Sequence, residues 1–244
     1  MKILALETSA RAVSAAITEN GRVLASGYQD TGLTHSRTLM PIVEGLLKNT
    51  GMTVQDLDAV AAAVGPGSFT GIRIGVSAAK GLAWAADKPC VPVSTLAAMA
   101  RNAALPSEEL LICAMDARQK QIYNALFSVL DGGTLERRTP DRAVSLEDLA
   151  KELENVPGSK TILGDGARLC LEALTAAGIA GCRLAPPHLV MQNAVSVALE
   201  AEELARSGGL VDPQELAPVY LRPPQALTLG ERARKLPQPS IPHF

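Results

Sequence analysis

Ala61-Ala62-Ala63-Val64-Gly65-Pro66-Gly67-Ser68-Phe69-Thr70-Gly71-Ile72-Arg73-Ile74-Gly75 is the stretch on which the fold turns. An apolar run stops at Gly-Pro-Gly, and a helix rich in small residues starts directly after it. A strand, a tight loop and a helix N-terminus in that order leave backbone N–H groups free to face an anion. Gly67, Ser68, Thr70 and Gly71 are therefore the candidates for a phosphate loop, with Ser68 or Thr70 also placed to cap the helix. A nucleotide P-loop would add Gly-Lys-Ser/Thr after four intervening residues, and no such lysine is present. The competing reading is a tight turn that needs only glycine's backbone freedom.

The helix expected over 70–86 carries Gly71, Gly75 and Ala79 on one stripe and Ser77, Gly81 and Ala85 on another. A glycine inside a helix costs about 1 kcal/mol relative to alanine, so the stripe calls for a reason. Close approach of a second helix is one, and that helix belongs either to this chain or to a partner. The preceding segment, 35–49, spaces Leu39, Ile42, Val43, Leu46 and Leu47 as a helix with a wide apolar face, ended by Gly51.

Outward from there the pattern is regular. Strands are expected over 2–7, 13–18 and 22–28, with Asn20-Gly21 as a hairpin turn, then over 58–64 and 90–93, followed by a helix over 94–103. After Pro106 a weaker copy starts again. It has strands at 110–115, 121–130 and 134–138 around an Asp131-Gly132-Gly133 turn, and a helix at 145–154 with Ser145 and Asp148 set as a capping box. A strand at 161–163 and helices at 167–177 and 192–206 complete it. The repetition predicts an α/β fold of two related lobes, mixed sheets flanked by helices, divided as 1–105 and 106–221. The Pro-rich basic segment 222–244 reads as extended or disordered.

Composition narrows the functions. The chain has 244 residues, of which 47% are apolar and 20% charged, with a net charge of −2. That suits a packed core and gives no basic arm for nucleic acid. No stretch is long and apolar enough for a signal core or a membrane span, so a soluble cytoplasmic protein is expected. Cys90, Cys113, Cys170 and Cys182 have no zinc-like spacing and read as small buried residues. Glu7 and Asp116 end the first strand of each half. Two acids facing an interlobe cleft would serve a phosphotransferase, while capping and turn formation would place them there as well. His35, at a helix start, reads as a cap or solvent residue. No Gly-x-Ser-x-Gly elbow or Cys–His pair is present, which leaves peptidase chemistry without a nucleophile and base.

Taken together, Glu7-Thr8-Ser9, His35-Ser36-Arg37-x-Leu39-x-Pro41, the Gly65–Gly75 run, Met115-Asp116-Ala117-Arg118 and Pro218-Val219-Tyr220-Leu221-Arg222 resemble the TsaB (YeaZ) family over nearly the whole chain. The resemblance implies the duplicated fold of actin, hexokinase and Hsp70-type ATPases (an RNase H-like core). It also implies a part in making threonylcarbamoyladenosine at position 37 of tRNAs that read codons starting with A. The implied partners are the catalytic paralogue TsaD and the ATPase TsaE, with a homodimer when they are missing and tRNA met only through the complex. ATP or ADP is expected at the complex interface and no cofactor within the chain. Relative to the catalytic paralogue, Arg11 stands where its aspartate would be, and Thr95, Met99 and Gln192 where its metal ligands would be. A non-catalytic subunit with no metal site is therefore expected, and hydroxyl, thioether and amide groups are poor substitutes for such ligands. The partner-binding surface implied is the pair of helices carrying Leu39, Val43, Leu46, Leu47, Gly71, Ile74, Gly75, Ala78 and Ala79. A stand-alone phosphotransferase using Glu7, Asp116 and the Gly65–Gly71 loop is the alternative.

Overall fold

A computed structural model describes residues 1–103, 109–130 and 133–222. The expected turn at Asp131-Gly132 and the tail beyond Arg222 lie outside these residues.

The first half builds a five-stranded sheet from β1 (Lys2–Glu7), β2 (Val13–Glu19), β3 (Arg22–Gln29), β4 (Ala59–Gly65) and β5 (Cys90–Ser94), in the order β3-β2-β1-β4-β5. The first three strands form an antiparallel meander, and β1, β4 and β5 run parallel. The second half has β6 (Leu110–Asp116), β7 (Gln121–Val129), β8 (Leu135–Arg137), β9 (Arg142–Ser145), β10 (Lys160–Leu163) and β11 (Cys182–Leu184). Its order, β8-β7-β6-β10-β11 with β9 also on β7, repeats the first sheet strand for strand. Helices fall in equivalent places: α1 (His35–Thr50), α2 (Phe69–Ala85) and α3 (Thr95–Arg101) in the first half, α4 (Leu146–Leu153), α5 (Ala167–Ala176) and α6 (Ala194–Arg206) in the second. Strand β4 is buried throughout and so reads as an unbroken apolar run, because helices cover both faces of its sheet.

The two halves exchange their last helices. α6 packs on β1, β2 and β5 of the first sheet, filling one core with Ala194, Val197, Ala198 and Ala201. α3 packs on β6 and β7 of the second, where Leu96, Met99 and Ala100 meet Leu111, Cys113 and Phe127. α1 and α2 cover the other face of the first sheet, and α4 and α5 the outer face of the second.

Several boundaries differ from the sequence expectation. α6 begins at Ala194, two residues later than expected, because the Asn193 side chain accepts the Ser196 N–H at 3.0 Å and caps the helix. Gln192 is thereby left in the loop. β9 and β11 were not anticipated. Each is four residues or fewer, too short for alternation to show, and β9 runs straight into the α4 cap. At that cap Ser145 Oγ accepts the Asp148 N–H at 3.0 Å and donates to the Asp148 carboxylate at 2.6 Å, so the hydroxyl takes both ends of the expected box. Cys90, Cys113 and Cys170 are buried, while Cys182 is half-buried.

Candidate functional site

The Gly65–Gly71 loop joins β4 to α2, and its contacts explain its glycines. A Cβ at Gly67 would lie 2.4 Å from the Ser9 carbonyl oxygen, one at Gly71 would lie 2.1 Å from the Thr8 carbonyl oxygen, and one at Gly65 would lie 2.4 Å from the Val219 carbonyl oxygen. The loop is thus pressed between the β1–β2 corner and a C-terminal segment of the same chain. Two of its amides are engaged: the Ser68 N–H donates to Ser9 O at 2.6 Å, and the Gly71 N–H to Ser68 Oγ at 3.2 Å. Of the four phosphate-loop candidates, Gly67 and Ser68 line the cleft between the lobes. Gly71 is buried against Thr8, and Thr70 faces outward into a different groove, beside Ser36. The tight-turn reading accounts for the glycines of this loop.

The interlobe cleft holds about 470 Å³, with Ser9, Arg11, Ser68, Asp116, Arg118 and Asp165 in its walls. Of the two strand-end acids Asp116 lines it and Glu7 does not. Asp116 accepts the Arg118 N–H at 2.7 Å and pairs with its guanidinium at 3.5 Å, the work of a turn residue. Glu7 is buried, 1% exposed, with Oε1 accepting the N–H of the cleft residue Ser9 at 2.5 Å. Burial pushes its carboxyl up to about 7, against the lowering effect of the Ser9 hydrogen bonds, and the charge of Asp165 pushes the same way. Asp165, which the sequence reading did not single out, is itself raised, chiefly by burial. It accepts a hydrogen bond from the Gln192 amide at 3.3 Å. Thr95, Met99 and Gln192 are all buried, and a Cβ at Gly164 would lie 2.9 Å from Met99 Sδ. Arg11 instead reaches outward to Asp30, at 2.7 Å. Among the described residues no three His, Cys, Asp or Glu side chains come together as a metal centre. His35 donates Nε2–H to the Ala10 carbonyl at 2.7 Å, tying the start of α1 to the β1–β2 corner.

The helices expected to offer a partner surface present different residues from those expected. Leu39, Val43 and Leu46 are core residues under α1, and Leu47 is half-buried against them. Gly71, Gly75 and Ala79 also face inward, and the object that needs the space is Thr8: a Cβ at Gly75 would lie 2.3 Å from Thr8 Oγ1. The small stripe therefore admits a strand end of the same chain. Ile74 and Ala78 are half-buried on the flank. The outward stripe of α2 runs through Thr70, Arg73, Ser77, Gly81, Trp84 and Ala85, with Trp84 74% exposed. Between α1 and α2 lies an open groove of about 500 Å³ lined by Ser36, Phe69, Thr70, Arg73, Ile74 and Ser77.

The Pro218–Arg222 motif also has a structural explanation. After α6 the chain returns along the first lobe. Val211 exchanges hydrogen bonds with Cys90, and Leu216 enters the core. The Val219 N–H then donates to Val64 O at 2.8 Å, and the Tyr220 hydroxyl accepts from Arg73 Nε at 2.8 Å. Arg73 lies over the Phe69 ring at 3.8 Å, and Phe69 packs on Tyr220 at 5.0 Å. Arg222 then crosses to the second lobe, donating to Ala117 O at 2.9 Å.

The sequence and the fold are similar to those of known proteins. A family model described as TsaD, tRNA N6-adenosine threonylcarbamoyltransferase, matches residues 29–171. A Bacillus subtilis tRNA threonylcarbamoyladenosine biosynthesis protein TsaB is 37% identical over 169 residues, 69% of this chain and 73% of the relative. The chain belongs to the TsaB (YeaZ) family. The Escherichia coli TsaB is 29% identical across 91% of this chain and 95% of its own length. YeaZ from Pseudomonas aeruginosa superposes with a TM-score of 0.73 at 27% identity, covering 90% of this chain and 99% of that one. A second structure from that organism, described as uncharacterised and similar to the peptidase YeaZ, gives 0.78 at 28%, covering 91% and 99%. The transferase from Solidesulfovibrio magneticus is 28% identical over 91% of this chain and only 67% of its own, longer chain. The TsaB fold is the duplicated two-lobe α/β arrangement expected from the sequence.

Proposed function

We propose that this TsaB-family chain is a non-catalytic, activating subunit in the formation of N6-threonylcarbamoyladenosine at position 37 of tRNAs reading ANN codons. Its partner on this reading is the catalytic paralogue TsaD, with the ATPase TsaE completing the complex in the cytoplasm. ATP or ADP sits at the complex interface, and tRNA is met through the complex. A homodimer forms through the same face when the partner is missing. The observation that carries the reading is the outer face of α2. There a tryptophan stands 74% exposed beside Ser77, Gly81 and Ala85, small residues that let a facing helix come close. The non-catalytic part rests on the cleft, where Thr95, Met99 and Gln192 occupy the positions that the catalytic paralogue gives to its metal ligands. The cysteine thiols offer no nucleophile, since burial pushes Cys90 up to about 11 and Cys170 up to about 12.

Co-purification with the catalytic paralogue tests it. Ser77 is exposed and nothing lies within 4 Å of a Cβ at Gly81, so Ser77→Glu with Gly81→Glu leaves the fold intact. The double variant is expected to weaken the complex at least tenfold and to abolish threonylcarbamoyladenosine formation in the reconstituted system. An undiminished complex overturns the interface, and ATP turnover by the isolated chain overturns the accessory role.

A further inference from the structure

Helices α1 and α2 carry a local excess of positive charge in a chain whose net charge is −2. Over its 17 residues α2 has Arg73 and Lys80 and no acid, and α1 sets Arg37 and Lys48 against the single acid Glu44. Among the described residues none of these side chains forms an ion pair. Arg37, Glu44, Lys48 and Arg73 are exposed, and Lys80 is half-buried with its Nζ donating to Gln214 O at 3.0 Å. Charge that the fold leaves unneutralised on one face selects what that face can meet.

Arg73 is the member of this set that is held still. Its guanidinium lies 3.8 Å over the Phe69 ring and 5.8 Å from the centre of the Tyr220 ring, and its Nε donates to the Tyr220 hydroxyl at 2.8 Å. The two terminal nitrogens have no partner among the described residues. Arg73 lines the groove between α1 and α2, where Ser36, Thr70 and Ser77 add hydroxyls and no acid contributes to the wall. An arginine already fixed by stacking loses little side-chain entropy on pairing, and its planar fork matches a carboxylate. Three helical turns further on, about 16 Å along the axis, Trp84 stands on the same outward stripe with Ser77 and Gly81 between them.

We infer that this stripe takes a helix with an acidic end: a carboxylate enters the fork of Arg73, and about three turns along an apolar recess receives Trp84. The inference rests on the reading of this face as the docking surface and adds the chemistry of the partner. A nucleic-acid strand fits less well, because a phosphate backbone calls for several cations in a row, and here small residues and a tryptophan follow Arg73. The same charges act against self-pairing. A second copy laid on the stripe sets Arg73 and Lys80 of each chain against those of the other, with no acid on either α2 to offset them. The face therefore holds a second copy weakly and yields it to an acidic helix.

The test is a charge reversal in the full chain. Arg73→Glu is expected to weaken the complex with the catalytic paralogue about tenfold in calorimetry. The same substitution is expected to tighten the homodimer about threefold in sedimentation equilibrium, or to reveal one where the wild type is monomeric. Opposite signs separate charge complementarity from lost shape, which weakens both associations. Arg73→Lys keeps the charge without the fork and is expected to weaken the complex about threefold. One arm needs no variant: raising NaCl from about 50 to about 500 mM is expected to weaken the wild-type complex and tighten the wild-type homodimer. Undiminished binding of the paralogue by Arg73→Glu, weakening of both associations, or a complex indifferent to salt overturns the inference. The docking reading survives that failure if Ser77→Glu with Gly81→Glu still breaks the complex, and falls with it if the complex persists. Loss of tRNA binding by Arg73→Glu with the protein complex unchanged assigns the fork to a phosphate and likewise overturns the acidic helix.

Discussion

Glu7 occupies a position where the backbone is settled by the sheet and, among the described residues, the side chain has no opposite charge to meet. Its carboxyl is raised from 4.5 to about 7 by burial. The native state therefore holds a proton, between those two values, that the unfolded chain has released. Stability falls as pH rises wherever the native state binds more protons, so the contribution is fully present below about 4.5 and lost once pH passes 7. The size is on the order of 3 kcal/mol. Glu7→Gln mimics the protonated form. It is expected to match the wild type in urea unfolding at pH 4.5 and to exceed it by about that amount at pH 8. Equal stability at pH 8 would show that Glu7 is already compensated. At this scale the sequence was only partly legible. Glu7 and Asp116 were visible as strand-end acids, but Asp165 was not, because Gly164-Asp165-Gly166 looks like any polar turn. Only the fold shows that a Cβ at Gly166 would sit 2.8 Å from the Asp116 backbone nitrogen, which brings this turn to the end of β6.

Helix α2 shows what an element adds to its residues. Its glycines have the same chemistry but opposite surroundings. Gly71 faces Thr8, with only 2.1 Å between a would-be Cβ and the backbone oxygen, whereas Gly81 has nothing within 4 Å. Gly71→Ala must displace backbone that Thr8 Oγ1 also holds, through its 2.8 Å bond to Gly71 O. It is expected to destabilise the isolated chain by about 1–3 kcal/mol. Gly81→Ala removes an entropic cost from a helix interior and is expected to stabilise by about 1 kcal/mol. Urea unfolding of both variants checks the pair, and the same sign for both would refute this orientation of the helix. Spacing in the sequence showed that small residues form stripes, and it could not show which stripe meets water. A glycine stripe fits a strand end as well as it fits a helix. The leucines of α1 carry the same ambiguity: Leu39, Val43 and Leu46 mark an apolar face whether sheet or partner covers it.

At the scale of the whole molecule, the repeat of strands and helices was legible because each half restarts the same alternation of periods. The exchange of α3 and α6 was not, since an apolar stripe does not name the sheet that receives it. That exchange makes the lobes interdependent, and the Val211–Arg222 segment adds a second tie along the outside. It is joined to the first lobe by the Val219–Val64 bond and the Arg73–Tyr220 bond, and to the second by Arg222 and Ala117 O. The turn it grips is the β6–β7 corner, where Arg118, Gln119 and Lys120 all have positive φ, at 65°, 54° and 56°. Non-glycine residues rarely adopt that conformation, at a cost of roughly 1–3 kcal/mol each, and surrounding contacts must hold it. Tyr220→Ala removes a hydrogen bond and an aromatic contact, each worth about 1 kcal/mol. With Arg222→Ala added, the corner loses its outer support. The double variant is expected to lose about 2–3 kcal/mol of stability. Hydrogen exchange is expected to rise at residues 117–121 and around Gly65, while the centres of β1 and β6 keep their protection. Uniform acceleration across both sheets would mean that the strap is part of the global fold. Unchanged exchange at the corner would mean that the exchanged helices hold the lobes without it.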